Sequence, residues 1–348
     1  MEIVSDVFVQ SLGTCLPERV SVEWAMEQGL CGDGTLNIAQ LTGALVAGET
    51  SAAEMTVTAA GRALARAGLT SADLDALIHS SVFEPGPAGW SMPGYTLREL
   101  GGGSAMVSEL RTGCGGSLNA IQLATGQLTG DQGLRHVLIT AADNFEPWVQ
   151  RWNSFAFIVG DAGSAALLSA TGGFARVKAI NSRTMPELEA MYRGAEPLFP
   201  PSAGGRPIDE NARFDVFTEQ VMPALEVGAI MASTHAELAR LSAKDAGIEV
   251  DGFARVITHN MAAFTVERFF MEPMGLPMDR SCFEFGRGLG HLGCSDQVTS
   301  LEHLLTGGEL SPGDHVLLIG GSAGFATTAI VLEILEIPDW VSPTPGKG

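Results

Sequence analysis

Lysine is scarce in this chain of 348 residues, with only three present against 17 arginines. The acidic residues number 40, and the formal net charge is −20. A surplus of that size argues against nucleic acid or an anionic membrane as a partner. Aromatic residues are also few, at 7%, whereas glycines number 43. This combination is typical of a tightly packed α/β protein with many turns, and the length allows two ordinary domains or one large duplicated one.

Paired cysteine motifs and long apolar runs are missing as well. The five cysteines, which form no CxxC or cysteine–histidine ligand spacing, are Cys15, Cys31, Cys114, Cys282 and Cys294. Their odd number predicts reduced thiols, with neither a disulfide framework nor a zinc site, and we expect no bound cofactor or metal. No secretion signal is visible, and glycines and threonines interrupt the weakly polar run 316–332. We therefore expect a cytoplasmic protein without a membrane span.

Cys114 lies between glycines in the stretch "RTGCGGSLNAIQLATGQL", which begins at Arg111. The residues Met106 to Leu110 fit a short strand, and the apolar spacing after Cys114 predicts a helix over about 114–129. Free N–H groups and the positive end of the dipole at a helix start stabilise a thiolate. The flanking glycines let a substrate carbonyl approach the backbone closely. The alternative is a small buried side chain in a helix cap.

Two halves of the chain resemble each other. The segment "HVLITAADN" from His136 is similar to "HVLLIGGSA" from His315. Residues 153–170 and 315–334 both fit a strand, a glycine-rich turn and a second strand, which predicts halves of about 1–170 and 171–348.

Helices and apolar strands alternate in both halves, which predicts an α/β fold whose buried sheets are covered on both sides. The predicted helices lie near 52–67, 114–129, 216–243, 262–270 and 296–306. Further strands are predicted near 75–82, 135–141 and 253–257. The proline-rich stretch 183–213 is interpreted as a long irregular loop, either a lid or a substrate loop.

Two histidines lie where strands end in turns, as active-site residues of α/β folds often do. His259 follows the strand 253–257, and His291 lies in the glycine-rich stretch "GRGLGHLGCSDQ". Asp296 comes five residues after His291, an offset that separates two side chains on a regular helix. The two can meet only if His291 is in the loop and Asp296 in the first helical turn. There the carboxylate would orient the imidazole as a base towards Cys114. The alternatives are structural histidines and a helix cap formed by Ser295 or Asp296.

Five motifs in order carry a family resemblance. They are "TGCGGSLNAIQLA" with Cys114, "VGDAGSAALL" from Val159, "THNMA" with His259, "GHLGCSD" with His291, and "GGSAGFATTAIVL" from Gly320. Over nearly its whole length the chain resembles β-ketoacyl-ACP synthase III and its relatives in the thiolase superfamily.

The resemblance implies a five-layer αβαβα fold of two pseudo-duplicated halves, and a homodimer in which Phe83 and Glu84 come near the partner's pocket. It also implies a ping-pong reaction through an acyl group on Cys114. The acyl oxyanion would be held by the Cys114 N–H and by an N–H of the Gly321–Ser322–Ala323 turn, from Ser322 or Ala323.

One departure from the family concerns the base. The family's condensing enzymes carry asparagine where this chain has His291, and that asparagine acts together with the histidine at the position of His259. A His291–Asp296 pair suits deprotonation of an alcohol or thiol, and resembles the family's acyltransferase branch with its cysteine or serine, histidine and aspartate triad. The resemblance thus implies acyl transfer to a hydroxyl or thiol acceptor in natural-product biosynthesis, with His259 positioning the thioester carbonyl. A carbon–carbon condensation and a non-catalytic partner protein are the alternatives, and retention of Cys114 and of both histidines argues against the latter.

A second departure concerns the acyl thioester donor. The segment "CGDGTLNIAQLTGALV" from Cys31 lacks the tryptophan and arginine with which the family binds CoA, and Ala263–Thr265 replaces an expected basic residue. Arg255, Arg268 or Arg287 would then form a local patch for an acyl carrier protein. Phe157, Phe83 and Met222 are the candidate pocket residues.

Overall fold

The computed structural model describes residues 6–32, 39–130, 133–152, 156–200 and 207–341. Within these residues nine strands form one sheet and two more form a small antiparallel pair. The strands of the large sheet are β1 (Phe8–Cys15), β4 (Ala76–Ser80), β5 (Met106–Leu110), β6 (His136–Asp143), β7 (Ala162–Ser169), β8 (Ala175–Thr184), β9 (Phe253–Ile257), β10 (His315–Ser322) and β11 (Ala326–Ile334). The small pair is β2 (Glu18–Ser21) and β3 (Gly43–Val46).

Helices cover the strands on both sides. They are α1 (Val22–Glu27), α2 (Ala52–Ala67), α3 (Met92–Glu99), α4 (Gly116–Leu128), α5 (Glu210–Gln220), α6 (Ala224–Ala246), α7 (Ala263–Val266), α8 (Glu272–Met274), α9 (Phe283–Gly286) and α10 (Asp296–Thr306). A π-helical segment, Glu267–Met271, joins α7 to α8. Short 3₁₀ segments lie at Ser71–Asp73, Pro186–Tyr192, Val250–Gly252, Met278–Arg280 and Gly293–Ser295.

The strand order of the first half recurs in the second. The order is β5-β4-β6-β7-β1-β8-β11-β10-β9. The β4–β6 pair is parallel, and β6–β7 and β7–β1 are antiparallel; β9–β10, β10–β11 and β11–β8 repeat this pattern. Strands β1 and β8 meet in the middle. The predicted pseudo-duplicated α/β fold is therefore confirmed, whereas the boundary at 170/171 stays a prediction.

Alternating side chains of the strands divide the molecule into five layers. Ile78 and Leu318 point to a central core that contains α4 and α10. Their neighbours point outwards, Leu77 onto α2 and Leu317 onto α6. Because successive strand residues face opposite sides, one apolar run per strand serves two cores. The layers are α2, the first-half strands, the two central helices, the second-half strands and α6.

Most predicted elements are present, but the strand pair at 153–170 is wrong. Residues 153–155 lie outside the described chain, and from 156 the only strand in this stretch is β7. A Cβ on Gly160 would lie 2.1 Å from the Leu289 carbonyl oxygen, so this glycine permits close packing against the His291 loop instead of a hairpin turn. The counterpart of β10 and β11 is the pair β6 and β7.

Three other predictions need correction. The helix predicted over 216–243 is divided into α5 and α6 because Pro223 lacks an N–H donor and begins a new helix as its N-cap. The stretch 183–213 is not wholly irregular, since it contains the end of β8, a 3₁₀ segment and the start of α5. The helix predicted over 262–270 begins as α7 and continues in the π-helical segment.

Candidate active site

Cys114 lies in the turn between β5 and α4, and this turn packs directly on the turn after β10. Gly113 has a φ of +80°, and a Cβ there would lie 2.7 Å from the Ala323 nitrogen. A Cβ on Gly115 would lie 2.3 Å from Ser322 Oγ. Glycine is thus required on both sides of Cys114, and the close contact brings the predicted oxyanion-hole residues Ser322 and Ala323 against the turn that carries Cys114. Their role in holding an oxyanion stays a prediction.

Asn119 fixes the two halves beside this turn. Its Nδ2 donates to Thr112 Oγ1 at 3.0 Å and to Ser322 Oγ at 3.2 Å, and its Oδ1 accepts from Thr328 Oγ1 at 2.9 Å. The sequence analysis did not identify Asn119 as a functional residue. It lies five residues after Cys114, one turn into α4.

His291 and Asp296 meet as the sequence predicted. His291 lies in the loop, where its backbone N–H donates to the Ile158 carbonyl at 2.7 Å, and Asp296 is the first residue of α10. The distance from His291 Nδ1 to Asp296 Oδ2 is 2.5 Å, and the other carboxylate oxygen accepts from the Leu292 N–H at 2.8 Å. Ser295, the alternative cap, makes no capping hydrogen bond with its side chain. The carboxylate therefore orients the imidazole.

His259 contacts the same carboxylate but is held on both ring nitrogens. Its Nδ1 lies 3.1 Å from Asp296 Oδ2 and 3.1 Å from Gln297 Nε2, and its Nε2 donates to the Gly321 carbonyl at 3.0 Å. The His259 and His291 ring centroids are 5.0 Å apart. Sequence reasoning missed Gln297, which follows Asp296 directly. His259 is thus more constrained by the protein than His291.

The charges of the site favour a cationic His291. Burial alone lowers the pKa of His291, but the negative charges of Cys114 and Asp296, and hydrogen bonds to both, raise it well above its ordinary value. Because Nδ1 faces Asp296, Nε2 is the nitrogen that faces the Cys114 sulfur. Burial raises the pKa of Asp296, but the His291 charge and hydrogen bonds from both histidines outweigh it, so the pKa lies well below its ordinary value. The three groups form a chain through which a proton can move to or from Cys114.

A narrow cavity of ≈ 50 Å³ opens beside Cys114. Its apolar wall consists of Val82, Phe145, Phe157, Val159, Met231, Met261, Phe270 and Phe325. Its polar groups, besides Cys114, are Tyr192, Glu210, His235, His259 and His291. Sequence reasoning missed Tyr192, Glu210 and His235. His235 is neutral, because burial lowers its pKa to about 4 despite a hydrogen bond to the Phe269 carbonyl.

Of the candidate pocket residues, only Phe157 lines this cavity. Phe83 instead stacks on Trp148, with centroids 4.9 Å apart, and together with Glu84 it lines a separate, wider cavity. Met222 packs against the buried cluster of Met185 and Phe325. The direction of Phe83 could not be predicted because it depends on a stacking partner 65 residues away in the sequence.

Two of the arginines predicted to bind a carrier protein are engaged elsewhere. Arg255 pairs with Glu309 at 3.0 Å, and Arg287 pairs with Glu284 at 3.1 Å. The excess of acidic residues explains why guanidinium groups find partners within the chain. The arginine patch for a carrier protein stays a prediction. The inference that the segment from Cys31 does not bind CoA as in the family also stays a prediction, and residues 33–38 of that segment lie outside the described chain.

The donor atoms of His259, His291 and Asp296 all lie within 4.8 Å of one another. Three such ligands are a set that a metal ion can use. Here both Nδ1 atoms already lie at hydrogen-bond distance from Asp296, so the geometry is that of a proton relay. Among the residues that the structure describes, no helix combines the length and the apolar character needed to cross a membrane.

Comparisons with known proteins show which family the chain belongs to. The sequence profile described as 3-oxoacyl-[acyl-carrier-protein] synthase III matches residues 108–185, and its C-terminal counterpart matches residues 243–334. The chain is similar to β-ketoacyl-[acyl-carrier-protein] synthase III 3 of Streptomyces coelicolor, with 26% identity over 92% of this chain and 95% of that one.

The solved structures show the same relationship. The structure of ChlB3, described as an acyltransferase, has a TM-score of 0.89 and 38% identity and covers 96% of this chain and 99% of its own. The 3-oxoacyl-[acyl-carrier-protein] synthase III of Aquifex aeolicus shares the fold, with a TM-score of 0.77 at 17% identity over 94% of this chain and 99% of its own. This chain belongs to the β-ketoacyl-ACP synthase III-like family of the thiolase superfamily, near its acyltransferase branch.

Asp296→Asn is expected to reduce acyl transfer by about 10²- to 10⁴-fold, because an amide can neither fix the imidazole tautomer nor stabilise its cation. The amide oxygen can accept from only one of the two backbone N–H groups, of Leu292 and Asn260, that the two carboxylate oxygens bind, so the thermal midpoint should also fall, corresponding to about 1–3 kcal/mol. Steady-state rates and a melting curve of the same preparation test both statements. A rate within threefold of wild type would show that the carboxylate is only structural.

Proposed function

We propose that this protein is an acyltransferase that moves an acyl group from a carrier-protein or CoA thioester, through an acyl-Cys114, to a hydroxyl or thiol acceptor in natural-product biosynthesis. The observation that carries this proposal is the chain Cys114–His291–Asp296, with its 2.5 Å contact between imidazole and carboxylate.

In the first half-reaction the Cys114 sulfur attacks the thioester carbonyl, and the donor thiol leaves with a proton from His291 Nε2. In the second half-reaction, the oxygen of the acceptor hydroxyl attacks the acyl carbonyl while His291 Nε2 takes the hydroxyl proton. The Cys114 sulfur then leaves as the thiolate. Asp296 stabilises the cation that His291 becomes. N–H groups of Cys114 and of the Ser322–Ala323 turn are the proposed donors to the oxyanion.

The charge of the cavity supports transfer over decarboxylative condensation. Its described lining residues include the acid Glu210 and neither lysine nor arginine. A malonyl carboxylate bound there would be repelled by Glu210 and would compete with Asp296 for the His291 cation. Acyl groups without a carboxylate carry no such cost.

A condensing enzyme is the second candidate, and His259 is the observation that favours it. This residue is present at the family's histidine position, and its Nε2 lies beside the Gly321 carbonyl at the cavity wall. The relatives with 22–26% identity are named synthases. Carbon dioxide release from a malonyl thioester accompanies condensation and not simple acyl transfer.

Incubation with a panel of acyl thioesters, followed by intact-mass spectrometry, tests the proposed function. We expect one acyl adduct on the wild-type chain, which disappears when alcohols or thiols are added and yields the corresponding ester or thioester. A chain that takes up no acyl group from any donor would favour a non-catalytic partner protein.

We also propose a homodimer, and β5 supports it. This strand forms an edge of the sheet and exposes half of Met106 and 39% of Val107. Unpaired apolar edges tend to pair with a second chain. Glu84 lies 3.3 Å from Arg111, just after β5, so the loop that carries Phe83 lies beside the same edge.

Light scattering at micromolar concentration is expected to give twice the chain mass. Val107→Glu should weaken the association, because it places a charge on the edge that the two strands would share. A monomer at this concentration in the wild type would contradict the proposed dimer.

A further inference from the structure

Glu210 is the first residue of α5, yet it does not cap this helix. Asp209 is the N-cap, and its carboxylate accepts from the Ala212 N–H at 3.0 Å. Asp209, and not Glu210, therefore accepts the hydrogen bond from the first turn of this helix. An acid at this place often interacts only with the helix dipole, and that interaction needs no cavity. The position of Glu210 in the wall of the reaction cavity calls for another explanation.

The Glu210 carboxylate faces the cavity of Cys114 and His291 and has no hydrogen bond or ion pair among the described residues. The nearby Arg213 is occupied, because its Nε donates to Glu196 at 2.7 Å and its Nη1 to the Tyr192 carbonyl at 2.9 Å. Burial raises the pKa of Glu210, and the charges of His291 and Arg213 offset part of this rise. The Glu210 side chain is only partly buried, so solvent still reaches its carboxylate in the free protein, and a hydrogen bond from a ligand takes the place of one from water.

Tyr192 adds a second polar group on the same wall. Its ring stacks on Phe325 with centroids 6.2 Å apart. Burial, followed by the charges of Cys114 and Glu210, raises the pKa of its hydroxyl, which therefore stays protonated. The two groups come from the stretch 186–220 and, with Cys114 and the three histidines, are the polar groups of a cavity whose described lining residues include neither lysine nor arginine. Such a wall fits a neutral ligand that carries a hydroxyl.

We propose that Glu210 is a specificity-determining residue, which accepts a hydrogen bond from a substrate hydroxyl other than the one that is acylated. The ligand class is a hydroxylated acyl group on the donor or a diol-type acceptor. Both place an alcohol or phenol O–H within reach of a carboxylate next to the acyl-cysteine. This inference rests on the proposed acyl transfer through Cys114.

Matched substrate pairs test the proposal in each half-reaction separately. The donor pair is the 3-hydroxybutyryl and butyryl thioesters of N-acetylcysteamine, followed as the rate of the Cys114 adduct. The acceptor pair is trans-1,2-cyclohexanediol and cyclohexanol, followed as ester release from the butyryl enzyme. In one of the two half-reactions, the wild type is expected to prefer the substrate with the additional hydroxyl. That half-reaction identifies the source of the hydroxyl.

Glu210→Ala is expected to lower this preference by on the order of tenfold to hundredfold, the range for a hydrogen bond to a charged group. Glu210→Gln, which keeps an acceptor oxygen but loses the charge, should retain part of it. Glu219→Gln, an exposed change on the same helix, is the control and should leave the preference unchanged.

A wild type with no preference in either half-reaction, or a Glu210→Ala preference within twofold of wild type, would overturn the role of Glu210. That failure is distinct from failure of the acyltransferase proposal, in which no Cys114 adduct forms with either thioester. Circular dichroism of each variant establishes that a changed ratio comes from a folded chain.

Discussion

Cys114→Ala is expected to take up no acyl group from any thioester, and its transfer rate is expected to fall by about 10⁴-fold or more. The reaction is divided into two steps by the acyl-cysteine, and alanine offers no atom that can carry the acyl group. The loss should appear in both half-reactions, because the same sulfur is attacked and released. Intact-mass spectrometry after incubation with the preferred donor measures it.

Cys31→Ala is the matched control, since Cys31 lies in a different, half-buried environment away from the cavity. It should form the same single adduct as the wild type. An adduct of equal yield in Cys114→Ala would assign the acyl group to another residue and contradict the nucleophile.

His291→Ala is expected to reduce ester formation by about 10³-fold or more, the upper part of the range for removal of a general base. In the acyl-enzyme Cys114 carries no negative charge, so the first of the causes that raise the pKa of His291 is absent and the neutral imidazole accepts the hydroxyl proton. In this site its Nε2 faces Cys114 and its Nδ1 is held by Asp296. No other described side chain occupies that place between sulfur and carboxylate.

His259→Ala provides the comparison and is expected to have a smaller effect on proton abstraction. The Nε2 of His259 donates to the Gly321 carbonyl, so it is less able to accept a proton. The His259→Ala variant should instead position the thioester carbonyl less well. A larger loss in His259→Ala than in His291→Ala would exchange the roles of the two histidines.

Much of this site could be predicted from sequence because its residues lie at strand ends and helix starts. Cys114, His259 and His291 follow strands or glycine-rich turns, and the α/β architecture gathers such positions at one place. The contact between His291 and Asp296 required a loop and a first helical turn, and both are present. The similar sequences of β6 and β10 predicted that the strand order would repeat.

The rest depends on contacts between distant segments, which leave little local signal. Glu210 follows a proline-rich stretch, and only the packing of α5 beside the cavity gives its carboxylate a role. The same holds for Tyr192, which reaches the cavity through its stacking on Phe325. Gly160 resembles a hairpin glycine locally, whereas the structure uses it for close packing against Leu289.

The assay of His291→Asn with the preferred acyl thioester and a hydroxyl acceptor, and in parallel with a malonyl thioester, tests the central claim most directly. Ester formation and carbon dioxide release are followed separately in the variant and in the wild type. Asparagine restores the side chain that the condensing enzymes of the family carry, and it cannot act as a base. We predict that ester formation is lost, because the proton of the acceptor then has no base to receive it. Full ester-forming activity in His291→Asn would contradict the Cys114–His291–Asp296 triad and favour the condensing enzyme.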